Sequence, residues 1–300
     1  MHTSRRDFLK SSALTLAGTT LLSSRLFALN QRNLNLGIQL YSIRDEMKKD
    51  PLGTLRQVAA IGYKNVEHAN YVDRKFYGYS VPEFKKILNE LGFSMPSGHT
   101  VMRKDHWNES TKDFTDAWKM TVEDAAALGQ KYVISPWLDE SLRKNFDDMK
   151  RYMEVFNKSG ELCKKSGMKF GYHNHDFEFS VKLNNVKVYD IILQNTDPAL
   201  VAQQLDIGNM YSGGGRAMEV LKQYPGRFEL LHVKDEIKTA AEKYESTVIG
   251  KGLIQVKQVI DEAKKTGGTS HFIIEQESYQ GQPPIEAVKQ DYKIMKSWGY

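Results

Sequence analysis

Four short motifs in the second half of the chain join an apolar run to side chains that can bind a metal or move a proton. They read YHNHDFEF, QLDIGN, LLHVKD and FIIEQE, at residues 172–179, 204–209, 230–235 and 272–277. Where strands and helices alternate around a barrel, the carboxyl ends of all strands meet on one face. The four motifs therefore predict one polar site built from four strand ends.

Three of the motifs offer donors for a divalent ion. Asp206, His232 and Glu275 each stand at the end of a different apolar run. Strand alternation also places Lys234 on the same side as His232. One imidazole and two carboxylates suit Mn²⁺, Mg²⁺, Co²⁺ or Zn²⁺. Lys234 is expected either to contact a substrate oxygen or to form a salt bridge with Asp206 or Glu275.

The rest of the chain supplies the elements that must position these residues. Short apolar runs alternate with helical patterns, and a parallel sheet buried on both faces has such strands. Eight strand–helix pairs fit a single-domain α/β fold, the (β/α)₈ TIM barrel. The predicted strands are 36–42, 63–68, 94–100, 132–137, 169–174, 200–206, 228–234 and 271–275, and the predicted helices are 52–61, 81–91, 114–128, 147–166, 188–195, 216–223, 254–266 and 285–298.

Two local features support this assignment, and the second favours the barrel over a doubly wound open sheet. Gly62, Gly92, Gly129 and Gly167 each stand between a predicted helix and the next strand, where a left-handed cap favours glycine. No glycine-rich dinucleotide turn follows the first strand, which ends in the sequence QLYS at 39–42.

Residues 1–28 are predicted to be an export signal. Arg5 and Arg6 are followed by the sequence DFLK and then by a short apolar stretch, a pattern that resembles twin-arginine signals. We expect cleavage after Ala28, a barrel over residues 29–300, and an exported or periplasmic protein that is not membrane-bound after cleavage. The single cysteine, Cys163, excludes an internal disulfide.

The charge balance does not indicate a nucleic-acid partner. Residues 1–28 hold four of the 42 basic residues and one of the 37 acidic ones, so the rest of the chain is nearly neutral. Nucleic-acid-binding proteins usually concentrate basic residues on one face. A small molecule is the expected partner, and a homo-oligomer is left open.

Further candidates lie at the predicted ends of the first four strands. Glu67 and His99 are expected either to contact substrate or to form structural hydrogen bonds. Trp137 and Tyr41 are expected either to form the wall of a sugar pocket or to belong to the core. Asp235 is expected to orient His232.

The chain resembles the xylose isomerase-like barrels, which include sugar isomerases, sugar epimerases and inosose dehydratase. The resemblance rests on LDIGN, HVKD, Gly250-Lys251-Gly252 and IIEQE in this order, and it covers residues 34–300. It implies that Asp206, His232 and Glu275 are metal ligands and that the substrate is a sugar or a sugar derivative.

The chain departs from this family in the fifth strand. Many relatives have Glu-Asn-His there, whereas this chain has His173-Asn174-His175. Either His173 replaces the glutamate as the fourth ligand, or Glu178 does. Glu178, His175, Lys234 and Glu275 are the candidate catalytic residues.

Three functions follow from the resemblance. The first is a divalent-metal-dependent sugar isomerase or epimerase that transfers a proton next to a metal-bound carbonyl. The second is a metal-dependent lyase or dehydratase of keto-sugars, 3-keto-glycosides or cyclitols, which the altered fifth strand favours. The third is a non-catalytic sugar-binding barrel.

Overall fold

A computed structural model of the protein describes residues 35–266 and 268–300. The predicted signal, its cleavage site after Ala28 and the first residues of the predicted barrel segment lie outside the described residues. The description below therefore begins at Asn35.

Eight parallel strands close into one barrel, which confirms the predicted fold. Each strand pairs with its neighbours in the sequence, and the first strand pairs with both the second and the last. The strands are β1 Asn35–Gln39, β2 Asn65–His68, β3 Ser94–His99, β4 Tyr132–Ser135, β5 Lys169–His173, β6 Val201–Asp206, β7 Phe228–Val233 and β8 His271–Ile274.

A helix follows each strand before the next one begins, as the sequence predicts. These helices are α1 Pro51–Ile61, α2 Val81–Glu90, α3 Asp116–Leu128, α4 Phe146–Lys164, α5 Val188–Asn195, α6 Ala217–Gln223, α7 Val256–Thr266 and α8 Pro284–Ser297. The four glycines expected to terminate helices all have positive φ. Among the described residues, no helix has the length and apolar character required to cross a membrane.

The barrel interior is packed by alternate residues of the strands. Tyr132, Ile134, Ala202, Leu230 and Ile273 form one buried apolar cluster there. Side chains alternate along a strand, so the residues two positions after Ala202, Leu230 and Ile273 belong to the same interior. They lie one layer nearer the carboxyl ends of β6, β7 and β8. The polar motifs therefore form the upper layer of a closed apolar core.

Short elements that the sequence pattern did not reveal extend the loops beyond the strand ends. They are the helices Arg44–Lys49, Phe177–Ser180 and Ile207–Ser212, the 3₁₀ turns Leu40–Ile43, Lys104–His106 and Glu140–Leu142, and small antiparallel sheets formed by Tyr71–Val72 with Lys75–Phe76 and Tyr79–Ser80, Trp107–Asn108 with Asp113–Phe114, Lys182–Leu183 with Val186–Lys187, and Asp235–Lys238 with Tyr244–Thr247.

Gly98 in β3 makes room for a buried histidine. A Cβ at this position would overlap the His68 ring, which packs edge-on against Phe76 with 4.8 Å between ring centroids. We expect Gly98→Ala to lower the free energy of unfolding by about 2 kcal/mol, the usual cost of overpacking a core. Chemical denaturation measures this change.

Ser94→Ala at the exposed start of the same strand is the control, and it should change the free energy of unfolding by no more than about 0.5 kcal/mol. Equal stability of the two variants would contradict the close packing of His68 against β3.

Candidate metal centre

Four side chains at the ends of adjacent strands meet above the barrel core. His173, Asp206, His232 and Glu275 come from β5 to β8, and all four are buried. One potential ligand atom of each lies within 4.8 Å of the others. Because the strands are parallel and adjacent, their carboxyl ends bring together residues that are far apart in the sequence.

The donor atoms suit a divalent cation. Asp206 Oδ2 is buried and has no hydrogen-bond partner within the described residues. It lies 3.9 Å from His173 Nε2 and 3.9 Å from His232 Nδ1, and Glu275 Oε2 is 3.1 Å from His232 Nδ1. Two ligands bound about 2.1 Å from one ion would be separated by similar distances. A carboxylate oxygen that accepts no hydrogen bond and faces two imidazoles and a second carboxylate is therefore a fitting ligand for such an ion.

The Glu67 carboxylate supports this cluster from below. Its oxygens lie 2.7 Å from His232 Nε2 and 3.0 Å from His99 Nε2. They also accept hydrogen bonds from side chains of Gln39, Ser97 and Gln204. Burial opposes the charge on Glu67, but the two histidines hold its pKa well below the usual range. Glu67 thus turns the other nitrogen of His232, Nδ1, toward the candidate ion.

Gln204 plays the same part for His173. Its Oε1 lies 3.0 Å from His173 Nδ1 and 2.7 Å from His99 Nε2, while its Nε2 donates to Glu67. A hydrogen bond from one imidazole nitrogen leaves the other free to bind a metal. His173 is therefore held with Nε2 facing Asp206.

Lys234 is a buried cation beside the two carboxylates. Its Nζ lies 3.6 Å from Asp206 Oδ2, 3.3 Å from Glu275 Oε2 and 3.3 Å from Asn209 Oδ1, and it also pairs with Glu277. Burial alone would lower the pKa of Lys234, but these acids raise it well above its ordinary value. The ammonium stays charged at the edge of the candidate metal centre.

Burial and neighbouring charge act in opposite directions on the cluster itself. Burial raises the pKa of Asp206 to about 6, even though Lys234 stabilises its charged form. Burial disfavours the charged form of His232, yet Glu275 and Glu67 outweigh it and raise the pKa to about 10. Positive charge is therefore stabilised at His232, whereas burial and the neighbouring histidines lower the pKa of His173.

A cavity of about 750 Å³ opens above the cluster. His173 and Glu275 lie at its floor, and His99, His175 and Trp137 form part of its wall. His175 is largely buried, its Nδ1 has no hydrogen-bond partner in the described structure, and its ring packs edge-on against Trp137. The cavity thus gives a small molecule access to the candidate metal centre.

Comparison with known proteins identifies the family. The sequence profile of the xylose isomerase-like TIM barrels matches residues 55–298, most of the chain. The protein belongs to this family. A solved xylose isomerase-like relative, a sugar phosphate isomerase/epimerase from Parabacteroides distasonis, is 26% identical with a TM-score of 0.76, and the match covers 87% of this chain and 93% of that one.

Inosose dehydratases are among the curated relatives of the chain. The protein from Clostridium perfringens is 28% identical over 200 residues, which is 63% of this chain and 65% of the dehydratase. The matched segment thus covers slightly less than two thirds of that relative. The protein from Clostridium beijerinckii is 25% identical over 269 residues, or 81% of this chain and 84% of the relative.

Glu178 lies apart from the cluster, although the sequence allowed it as the fourth ligand or as a base. Its oxygens accept hydrogen bonds from the Tyr172 hydroxyl and from the backbone N–H of His175. Burial raises the pKa of Glu178 to about 8. The short helix Phe177–Ser180 turns this carboxyl away from the cavity, so His173 is the fifth-strand residue that joins the cluster.

The structure also bears on two further expectations. Glu67 forms structural hydrogen bonds, one of the two roles expected for it, and its buried carboxylate, surrounded by five donor side chains, does not line the cavity. Asp235 does not orient His232. Its carboxylate instead accepts hydrogen bonds from the backbone N–H groups of Gly250, Gly252 and Ile254, and so it fixes the loop after β7.

Three further residues near the site also follow from the sequence pattern. Gln204 precedes Asp206 by two positions, and Glu277 follows Glu275 by two, so strand alternation alone places them near the site. Asn209 lies in the first turn of the helix Ile207–Ser212, and its backbone N–H donates a hydrogen bond to Asp206. The contacts of Lys234 with Asn209 and Glu277 could not be predicted from the sequence.

Asp206→Asn should abolish metal-induced stabilisation, because it removes the anionic oxygen that accepts no hydrogen bond and keeps the oxygen that accepts the Asn209 N–H. For the unmutated protein we expect about 3 kcal/mol of stabilisation at several hundred times the dissociation constant of Mn²⁺ or Zn²⁺. Thermal unfolding with and without each metal measures this stabilisation.

Glu178→Gln is the matched control, since it neutralises a buried carboxyl of the same region that lies outside the cluster. It should keep the full metal-induced shift. An unchanged shift in Asp206→Asn, or a lost shift in Glu178→Gln, would contradict the ligand assignment.

Proposed function

We propose that the protein is a divalent-metal-dependent enzyme that removes a proton from the carbon next to a carbonyl of a neutral sugar derivative. The proposal rests on Asp206 Oδ2, which accepts no hydrogen bond and lies beside His173, His232 and Glu275. Two members of this cluster, His173 and Glu275, line an open cavity. The residues His173, Asp206, His232 and Glu275 would hold the ion. A bound divalent ion would polarise the carbonyl and increase the acidity of the neighbouring C–H group.

Lys234 contacts three residues that line the cavity, Asn209, Glu275 and Glu277, and from behind them it would stabilise negative charge that develops on substrate oxygen. Its ammonium is already fixed by Asn209 and Glu277 at the edge of the cluster. A buried cation held by preformed contacts needs little reorganisation when charge develops, which makes such groups effective in catalysis. Glu277 lines the cavity and is positioned to accept a hydrogen bond from a substrate hydroxyl.

His175 is the proposed base. Its ring lines the cavity, and its backbone N–H donates to Glu178. A neutral imidazole that borders a bound substrate can accept a proton. Glu275 remains a ligand in this proposal, and Glu178 positions His175 and does not itself contact substrate.

Elimination is the outcome that we favour after proton removal. Many relatives have a carboxylate in the fifth strand where this chain has His173, and Glu178 does not take its place. The described cluster therefore has no fifth-strand carboxylate that could act as a base. Similarity to inosose dehydratases supports a lyase of keto-sugars, keto-glycosides or cyclitols. Similarity to the Parabacteroides distasonis protein supports the second candidate, a sugar isomerase or epimerase.

Incubation of the metal-loaded protein in D₂O with neutral keto-sugars, inososes and 3-keto-glycosides tests the proposal. We expect deuterium at the carbon next to the carbonyl, or an unsaturated product from the same carbon, and loss of both after chelation. Mass spectrometry and NMR distinguish elimination from isomerisation, because only elimination releases a leaving group.

Lys234→Met should reduce turnover by about 100-fold or more while it keeps metal bound, since the ammonium contributes charge stabilisation and is not a ligand. Metal content by mass spectrometry provides the second readout. Tight sugar binding with no exchange, no product and no stoichiometric metal would support a non-catalytic sugar-binding barrel instead.

We also propose that the enzyme is exported by a twin-arginine route. The motif of Arg5, Arg6 and the following DFLK sequence supports this proposal. Exchange of both arginines for lysine should retain the precursor inside the cell, as fractionation and immunoblotting would show. Unchanged export of that variant would contradict the route.

A further inference from the structure

The mouth of the barrel has two chemically different halves. The strands β5 to β8 supply the metal cluster, whereas the segments after β1 to β4 supply large apolar side chains to the same cavity. These are Tyr41, Val72, Val101 and Trp137. They are four of the seven large apolar side chains that are exposed within the described part of the chain. Exposed apolar side chains concentrated in one cavity mark a binding surface.

Two parts of the apolar half are held in place by partly buried contacts. Val72 belongs to the small sheet after β2, which is anchored because Arg74 and the Tyr71 hydroxyl both bind Asp124 of α3. Trp137 packs edge-on against His175 and Phe177, with centroid distances of 5.4 and 5.7 Å. This half of the cavity is therefore preformed, which lowers the entropy cost of binding.

The cationic side chains on the cavity wall are already paired. Arg74 makes two hydrogen bonds to Asp124, at 2.9 and 2.6 Å, and Arg103 lies 3.2 Å from Asp105. They are the only arginine or lysine residues among the described residues that line the cavity. Phosphate recognition usually needs a free cation or several N–H donors. The cavity wall consequently suits an apolar group better than a phosphate.

The size of the cavity also exceeds what one sugar ring needs. Its volume of about 750 Å³ falls within the range of about 300–1,000 Å³ that binds drug-sized molecules. A sugar ring at the metal cluster would leave the side formed by Val72 and Val101 available for another group.

We propose that these four side chains form a second subsite, which binds the apolar aglycone of a glycoside whose sugar ring lies at the metal centre. The inference rests on the proposed function and names its substrate class as keto-glycosides with an apolar aglycone. In the reaction, the base takes the proton from the carbon between the carbonyl and the anomeric carbon. The electron pair of that C–H bond forms a C=C bond to the anomeric carbon. The bond between the anomeric carbon and the aglycone oxygen breaks, and a proton joins that oxygen.

Binding of glycosides that lack the carbonyl tests the subsite separately from catalysis. The probes are the 4-nitrophenyl and methyl D-glucosides, each as both anomers, titrated into the full-length metal-loaded protein by calorimetry. We expect the better nitrophenyl anomer to bind about tenfold more tightly than its methyl counterpart, as burial of part of a phenyl ring would give. Glucose 6-phosphate should bind no more tightly than glucose.

Val101→Asp should remove the nitrophenyl preference, because it places a charge beside the aglycone. Val72→Asp tests the same wall from a different loop. Val181→Asp is the matched control, since Val181 is an exposed valine that does not line the cavity. Val101→Leu should retain the preference, and unfolding temperatures verify that each variant is folded.

Equal affinity for nitrophenyl and methyl glucosides would overturn the subsite, as would unchanged preference in both aspartate variants or tighter binding of glucose 6-phosphate. The deuterium experiment separates the two proposals. Exchange without nitrophenyl preference would leave the metal-dependent function standing and reject the subsite. Nitrophenyl preference that depends on Val101, without exchange on any keto compound, would support the subsite and reject the proposed chemistry.

Discussion

The Glu67 carboxylate is the interaction on which the polar interior of this barrel depends. From β2 it accepts hydrogen bonds from side chains of β1, β3, β6 and β7, so one buried anion links five strands. A buried charge is stable only when its partners satisfy it, and removal of one partner leaves a costly unpaired group. The same contacts orient His232 and, through Gln204, His173. The barrel thereby fixes two imidazole rings before any ligand arrives.

The division of the cavity follows from the order of the strands. Because consecutive strands are neighbours in the closed sheet, the four motifs of β5 to β8 occupy one continuous half of the mouth. The loops after β1 to β4 occupy the other half and carry Tyr41, Val72, Val101 and Trp137. The fold therefore places the metal-binding side chains on one side of the cavity and the exposed apolar side chains on the other. A substrate with a polar reacting end and an apolar end matches that separation.

Strand and helix order, and the cluster of Asp206, His232 and Glu275, were predictable from sequence because both depend on local periodicity. An apolar run followed by a polar residue marks a strand end, and parallel closure brings those ends together. Glu178 shows where this reasoning fails. Its position depends on a one-turn helix that directs the carboxyl toward Tyr172, and spacing alone cannot distinguish that geometry from ligation. The role of Glu67 likewise depends on partners far away in the sequence.

The most direct test of the account is anomalous diffraction from crystals soaked with Zn²⁺ or Mn²⁺. The predicted result is one dominant peak bonded to His173 Nε2, Asp206 Oδ2, His232 Nδ1 and Glu275 Oε2, at about 2.0–2.2 Å from each for zinc. Data collected on both sides of the metal absorption edge would identify the element. A peak bound to Glu178 in place of His173, or no peak at the cluster at saturating metal, would contradict the account.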